Sequence, residues 1–160
     1  MRFAYLCDHL SLAPQLARAH YAEWSPLLPQ WTEADALAEL RTHRARVAIP
    51  TTMLALSPDG DDWIGSVSLL ANDDDRIRDY SPWLASLYVR PEHRGHGHGI
   101  ALVARCVQEA SVLGIARLHL YTAAQQRFYE KLGWHCLDSV PLGNSTVQVM
   151  AIAPPAASSR

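Results

Sequence analysis

An apolar stretch that passes through three alternating glycines into an amphipathic helix restricts this chain more than any other feature. Trp83 to Val89 is an apolar run held between Pro82 and Pro91, and it reads as a buried strand. Ile100, Val103, Cys106, Val107, Ala110 and Leu113 then recur at helical spacing, with Gly114 as a stop. The joint is Val89-Arg90-Pro91-Glu92-His93-Arg94-Gly95-His96-Gly97-His98-Gly99-Ile100. Glycines let amide N–H groups turn inward and let a ligand come close. The helix start adds unpaired donors and a partial positive charge. Arg94 adds a guanidinium whose fork suits phosphate. A segment so built is a cradle for a diphosphate.

The remaining elements fall around this joint. Phe3 to Leu6 reads as a first strand. A helix follows from Pro14 through Leu16, Ala17, His20, Tyr21 and Trp24, ended by Ser25-Pro26 and Pro29. Thr32 reads as an N-cap with Asp35 three positions on, opening a second helix that runs to about Arg46. Thr51 to Leu56 and Trp63 to Leu70 read as a hairpin around Pro58-Asp59-Gly60, and Ala71 to Pro82 as a polar loop. Leu118 to Tyr121 is a strand. Ala124 to Leu132 is a short helix closed by Gly133, and Trp134 to Leu137 and Thr146 to Ile152 are a last strand pair. The tail after Ala153 is expected to be disordered. The order of elements is that of one mixed α/β domain over residues 1–153.

With 160 residues, 49% apolar and 19% charged, the chain needs no staple to hold a core. A formal net charge of −2 with dispersed Lys and Arg does not favour nucleic acid or an anionic membrane. Cys7, Cys106 and Cys136 are three and widely spaced, which argues against a disulfide framework and a four-thiolate zinc site. They fit a reducing, cytoplasmic compartment. No secretory signal or run of membrane-spanning length is legible.

Two common phosphate loops do not fit. The dinucleotide fingerprint would need glycine where Ile100 or Leu102 stands, and a P-loop would need its lysine, while Lys131 is the chain's one lysine. What fits is Arg-x-x-Gly-x-Gly, at Arg94, Gly97 and Gly99. About thirty residues on comes Phe128-Tyr129-Glu130-Lys131-Leu132-Gly133-Trp134. With these two blocks in this order, the chain resembles the GNAT superfamily of N-acetyltransferases, well over Thr51 to Leu137 and in outline before it.

The resemblance implies a single α+β domain with a mixed, mostly antiparallel sheet of six or seven strands and about four helices. It implies that the fourth and fifth strands splay to admit acetyl-coenzyme A, with no metal. Backbone amides from Arg94 through Gly95, His96, Gly97, His98 and Gly99 to Ile100 would hold the pyrophosphate. Leu87, Tyr88 and Val89 would pair with the pantetheine arm, and an amide near Leu87 would polarise the thioester carbonyl. Tyr129 would donate a proton to the departing thiolate. Thr122 stands where relatives often carry Asn, and Thr122 and Gln126 would lie near the sulfur. The fourth strand has no glutamate to act as base. Glu23, Asp79, the Asp73–Asp75 run or a relayed water are the alternatives. Glu23, Trp24, Trp31, Asp79 and Trp83 are candidates for the acceptor pocket, and the Asp73–Asp75 run could attract a cationic amine. The acceptor would be a small-molecule or peptide amine, and the enzyme could be a homodimer.

Two other functions fit parts of the sequence. One is a coenzyme A-binding module without turnover. The other is a zinc protein built on His93, His96 and His98, for which no fourth ligand is apparent.

Overall fold

In the computed structural model, which describes residues 1–60, 62–74, 77 and 79–156, seven strands form one sheet. They are β1 (Arg2–Tyr5), β2 (Thr51–Leu56), β3 (Trp63–Leu70), β4 (Trp83–Val89), β5 (Leu118–Thr122), β6 (His135–Leu142) and β7 (Ser145–Ile152), in the order β1-β2-β3-β4-β5-β7-β6. The helices are α1 (Ala13–Trp24), α2 (Glu33–Thr42), α3 (His98–Val112) and α4 (Gln126–Lys131). Every strand pair is antiparallel except β4–β5. That parallel pair meets in register only at Trp83↔His119. Beyond it the two strands diverge and open a slot in the sheet. The expected mixed sheet with its splay is the observed fold.

Alternation along the strands divides the core. Met53, Ala55, Ile64, Val67, Leu69 and Leu84 pack with Leu102, Val103, Cys106, Ala110, Tyr129 and Trp134 under α3 and α4. Leu54, Leu56 and Trp63 pack with Leu6, Leu16, Ala17, Ala36 and Leu40 under α1 and α2. At the cleft the alternation slips in β4. Ser66 opposes Tyr88 and Ser68 opposes Ala85, so Ser86 and Leu87 together face Val67, and Ser86 takes φ +55°. This is a bulge. It puts Leu84, then Leu87 and Val89, on the α3 side while Tyr88 joins the α1–α2 side.

Several expected boundaries shift by a residue or two, as β1 does from Phe3–Leu6 to Arg2–Tyr5, and three differences have a clear cause. The Thr32–Asp35 capping box forms, with both bonds at 3.0 Å, but α2 ends at Thr42 rather than near Arg46. His43 turns inward, 3% exposed, with Nδ1 2.7 Å from Thr52 Oγ1, and Thr52 in turn lies 2.7 Å from Ser68 Oγ. Satisfying that buried ring outweighs another helical turn. The short helix starts at Gln126 rather than Ala124, because Thr122 Oγ1 accepts the Gln125 amide at 2.9 Å. β6 runs eight residues instead of four, since β7 lies between it and β5 and pairs it as far as Leu142↔Ser145. Of the tail, the Pro155 carbonyl accepts the Ser111 hydroxyl, and residues 157–160 lie outside the described residues. No helix among the described residues is long and apolar enough to cross a membrane.

Candidate active site

The slot between β4 and β5 is part of one cleft of about 1280 Å³. Leu84–Val89 form one wall and Leu120–Gln125 the other, with Phe128 and Tyr129 between them. At one end lie His93, Arg94, Gly95, Gly97, His98, Gly99 and Ile100. Around the other are Leu27–Trp31 from the α1–α2 connection, Asp35, Glu39, Asp73, Asp74 and Gly143. Register sets the two ends apart. Leu70, just before the Asp73–Asp74 loop, pairs with the first residue of β4, and Gly65 pairs with its last. The loop and the glycine turn therefore follow opposite ends of a seven-residue strand, roughly 20 Å apart along it at about 3.3 Å per residue.

The glycine end is shaped by backbone. Gly95 and Gly97 have φ +80° and +82°, and Gly97 is the N-cap of α3. A Cβ built on either meets nothing within 4 Å. Positive φ, and not crowding, excludes other residues here, and the space a side chain would fill belongs to the cleft. Arg94 gives Nε to the Val89 carbonyl at 2.8 Å, lies 5.5 Å over the Tyr88 ring, and comes within 3.8 Å of Glu23. Tyr88 is wedged among Trp63, Trp24 and the buried His20, whose Nε2 lies 3.2 Å from Ser66 Oγ.

Tyr129 is 8% exposed, with its ring between Phe128 and Trp134. Burial and the neighbouring Cys106 push its phenol up to about 12. Trp134 Nε1 is the one fully buried side-chain polar atom without a partner among the described residues. The Tyr129 hydroxyl makes no hydrogen bond there, so it is open to the cleft.

The far end gathers carboxylates from two elements. Burial, with Glu39 and Asp74 nearby, pushes the Asp73 carboxyl up to about 7. Glu39 is also raised by desolvation, though solvent still reaches it and screens the effect. The loop Leu27–Trp31 is clasped by the β6–β7 turn. Asn144 Nδ2 donates to the Pro26 carbonyl at 2.9 Å, and a Cβ on Gly143 would overlap the Leu27 carbonyl oxygen.

The cleft brings together Glu23, Trp24, Trp31, Leu87, Tyr88, Val89, Arg94, Gly95, Gly97, His98, Gly99, Ile100, Thr122 and Tyr129. Four candidates lie elsewhere. Trp83 is completely buried with Leu70, Ile77, Ala85 and Val149, its Nε1 bonded to the Tyr80 carbonyl at 2.8 Å, and so cannot meet an acceptor. Asp79 is exposed beyond the cleft wall, His96 points to solvent, and Gln125 takes the place at the wall that spacing gave to Gln126. Asp75 lies outside the described residues. Asp35 and Glu39 were missed as cleft residues. Their one legible sign was a run of acids on a helix next to the prolines. Among the described residues no three His, Cys, Asp or Glu side chains are grouped to hold a metal ion.

The sheet is parted between two parallel strands, and a glycine turn opens a helix at the gap. The profile of the acetyltransferase (GNAT) domain matches residues 53–136, and the chain belongs to that family. Its fold is shared with aminoglycoside 6'-N-acetyltransferase from Enterococcus faecium, at 16% identity, TM-score 0.73, and coverage of 99% of this chain and 100% of that one. An aminoglycoside 6'-N-acetyltransferase complexed with coenzyme A has 16% identity, TM-score 0.72, and the same coverages. Spermidine N-acetyltransferase from Vibrio cholerae, in complex with CoA and spermine, has 16% identity, TM-score 0.71, and coverage of 96% and 95%. A sequence comparison with curated proteins finds no match.

Proposed function

We propose that this protein transfers the acetyl group of acetyl-coenzyme A to a small, cationic amine within a ternary complex. The observation that carries the reading is the continuity of the cleft, from the glycine turn past the Tyr129 hydroxyl to the carboxylates. Bound acetyl-coenzyme A supplies a thioester whose carbonyl carbon the amine attacks. The amides from Gly95 to Ile100, at the start of α3 where a helix leaves its first N–H groups unpaired, receive the diphosphate, while the Arg94 amide is bonded to the Pro91 carbonyl at 3.3 Å and its guanidinium supplies the charge. Leu87, Tyr88 and Val89 offer their backbone to the pantetheine arm, and the bulge at Ser86–Leu87 aims an amide at the thioester oxygen. Thr122 flanks the same slot.

Tyr129 keeps its proton at every neutral pH, because its phenol titrates at about 12. Full transfer from such a group to a thiolate of ordinary pKa near 8.5 runs uphill by about 3.5 units. Tyr129 therefore lends a hydrogen bond to the departing sulfur rather than losing its proton.

Asp73 takes the role of base. Glu23 faces Arg94, and Asp79 lies off the cleft. Asp73, half-buried at the acceptor end, is pushed up to about 7 by desolvation and by Glu39 and Asp74, toward the range where a base acts near neutral pH. Trp24 and Trp31 border the acceptor, and Asp35, Glu39 and Asp74 favour a positively charged one. The aminoglycoside and spermidine N-acetyltransferases of the same fold are named for amines of that kind. The cysteines, half-buried, buried and exposed, are all free, consistent with a cytoplasmic setting.

Incubation with acetyl-coenzyme A and a panel of mono-, di- and polyamines, read by free thiol and acetylated product, tests the reading. Stoichiometric thiol and acetyl-amine are expected, greatest for di- and polyamines. Coenzyme A binding with no thiol release on any amine would favour a silent binding module.

A further inference from the structure

The turn opening α3 carries three histidines among fixed charges that largely cancel. Arg90 is paired with Asp62 at 2.6 Å and with Glu92 at 3.0 Å. Arg94 lies 3.8 Å from Glu23. Just ahead of β1, Met1 Sδ lies 3.2 Å from His98 Nδ1, and the Met1 amino group is close enough to repel an imidazolium there. Two guanidiniums and one amino group thus face three carboxylates. The chain's lysine is away on α4. What charge the turn can add must come from imidazoles.

These imidazoles sit together. The His98 ring centroid is 6.3 Å from that of His93 and 6.1 Å from that of His96. His93 and His98 border the cleft, and His96 Nδ1 lies 3.3 Å from the His93 carbonyl. In the free protein the imidazolium of His98 is disfavoured by partial burial, then by His96, His93 and the amino group. An anion seated among the rings reverses that balance.

Resting on the coenzyme A reading of the cleft, we propose that His98, at the centre of this cluster and on the cleft wall, takes up a proton as the cofactor's diphosphate settles on the turn, so that affinity rises with acidity. The sign follows from linkage. The bound anion raises the pKa of His98, so the gain is complete below its free value, which partial burial and the neighbouring charges hold under the usual 6.5, and disappears as pH rises through the bound value. A shift of one unit limits the effect to about tenfold per group.

Titration calorimetry of the whole chain with coenzyme A at pH 6.5 and 8.0, in buffers of different ionisation enthalpy, measures both affinity and proton uptake. About three- to tenfold tighter binding at pH 6.5 is expected, with net uptake near pH 7. Dephospho-coenzyme A should behave alike, because it keeps the diphosphate and lacks the 3'-phosphate, which itself titrates near pH 6. The variant H93Q/H96Q/H98Q should bind more weakly, with flat pH dependence, and H96K/H98K should bind well without uptake. Binding by the unaltered protein with no proton uptake would overturn the proposal, as would uptake that persists in the glutamine variant or vanishes with dephospho-coenzyme A. Absence of coenzyme A binding at both pH values would instead sink the reading of the cleft itself.

Discussion

The two ends of the cleft are polar for different reasons. At the α3 end the donors are backbone amides and one guanidinium, held by a single turn whose glycines take positive φ. At the far end the polar groups are carboxylates of Asp35, Glu39, Asp73 and Asp74, brought in by α2 and the loop after β3. The first end gains its character from chain direction and cannot be titrated away, apart from its histidines. The second is ionisable, and burial, aided by Glu39 and Asp74, already pushes Asp73 up to about 7. A site that must hold an anion and deprotonate a cation gains from this division. Desolvation and like charges at the amine end both oppose ionisation, which favours a base there.

The largest effect expected is at the glycine end. Gly97→Val places a β-branched residue at φ +82°. Left-handed strain of about 1–2 kcal/mol and lost amide contacts of about 1 kcal/mol each sum to roughly 100-fold weaker coenzyme A binding. Calorimetry checks this, with far-UV circular dichroism nearly unchanged because a Cβ there meets open space. Unaltered affinity would break the comparison at its first term.

Asp73→Asn should act at the other end alone. A fall in kcat on the order of 30-fold is expected, with coenzyme A affinity intact. In the unaltered protein the rate should climb as pH rises through about 7, since the base must be ionised, and that limb should vanish in the variant. Tyr129→Phe lies between the ends, and should lower kcat roughly tenfold with little change in cofactor affinity. Glu39→Gln should raise KM for a diamine about threefold and leave a monoamine unaffected, the scale of a solvent-reached charge. Equal effects on both amines would remove Glu39 from the acceptor side.

The smallest effect is on stability. Burial holds His20 and His43 neutral, down to about 3 and about 4, against about 6.5 unfolded. The unfolded chain therefore binds more protons below pH 6.5, and stability is lost as pH falls through 6.5 toward these values. His43→Gln should flatten the decline of Tm between pH 6.5 and 4.5, measured by thermal melts.

The same contrast explains what could be read before folding. The glycine turn is one contiguous stretch, from Arg94 to Ile100, flanked by a strand and a helix of clear pattern, and its logic is local. The carboxylate end is tertiary. Glu39 looks like any acid on a solvated helix, and Asp73 like any loop acid, until packing of α2 beside the β3–β4 loop puts them near each other. Trp83 was misplaced for a related reason. The bulge at Ser86–Leu87 shifts the alternation of β4, so Trp83 packs into the cluster of Leu70, Ile77 and Val149 while Leu87 and Val89 turn to the α3 side. The buried His43, which cuts α2 short, needs its partner Thr52 from β2 to be understood.

Amide chemical shifts on titration with coenzyme A test the division of the cleft most directly. Shifts should cluster at Leu87–Val89 and Arg94–Ile100, while Glu39 and Asp73 respond only when an amine is added. Shifts that centre on the carboxylate end, or that leave Gly95, Gly97 and Gly99 unmoved, would contradict the account.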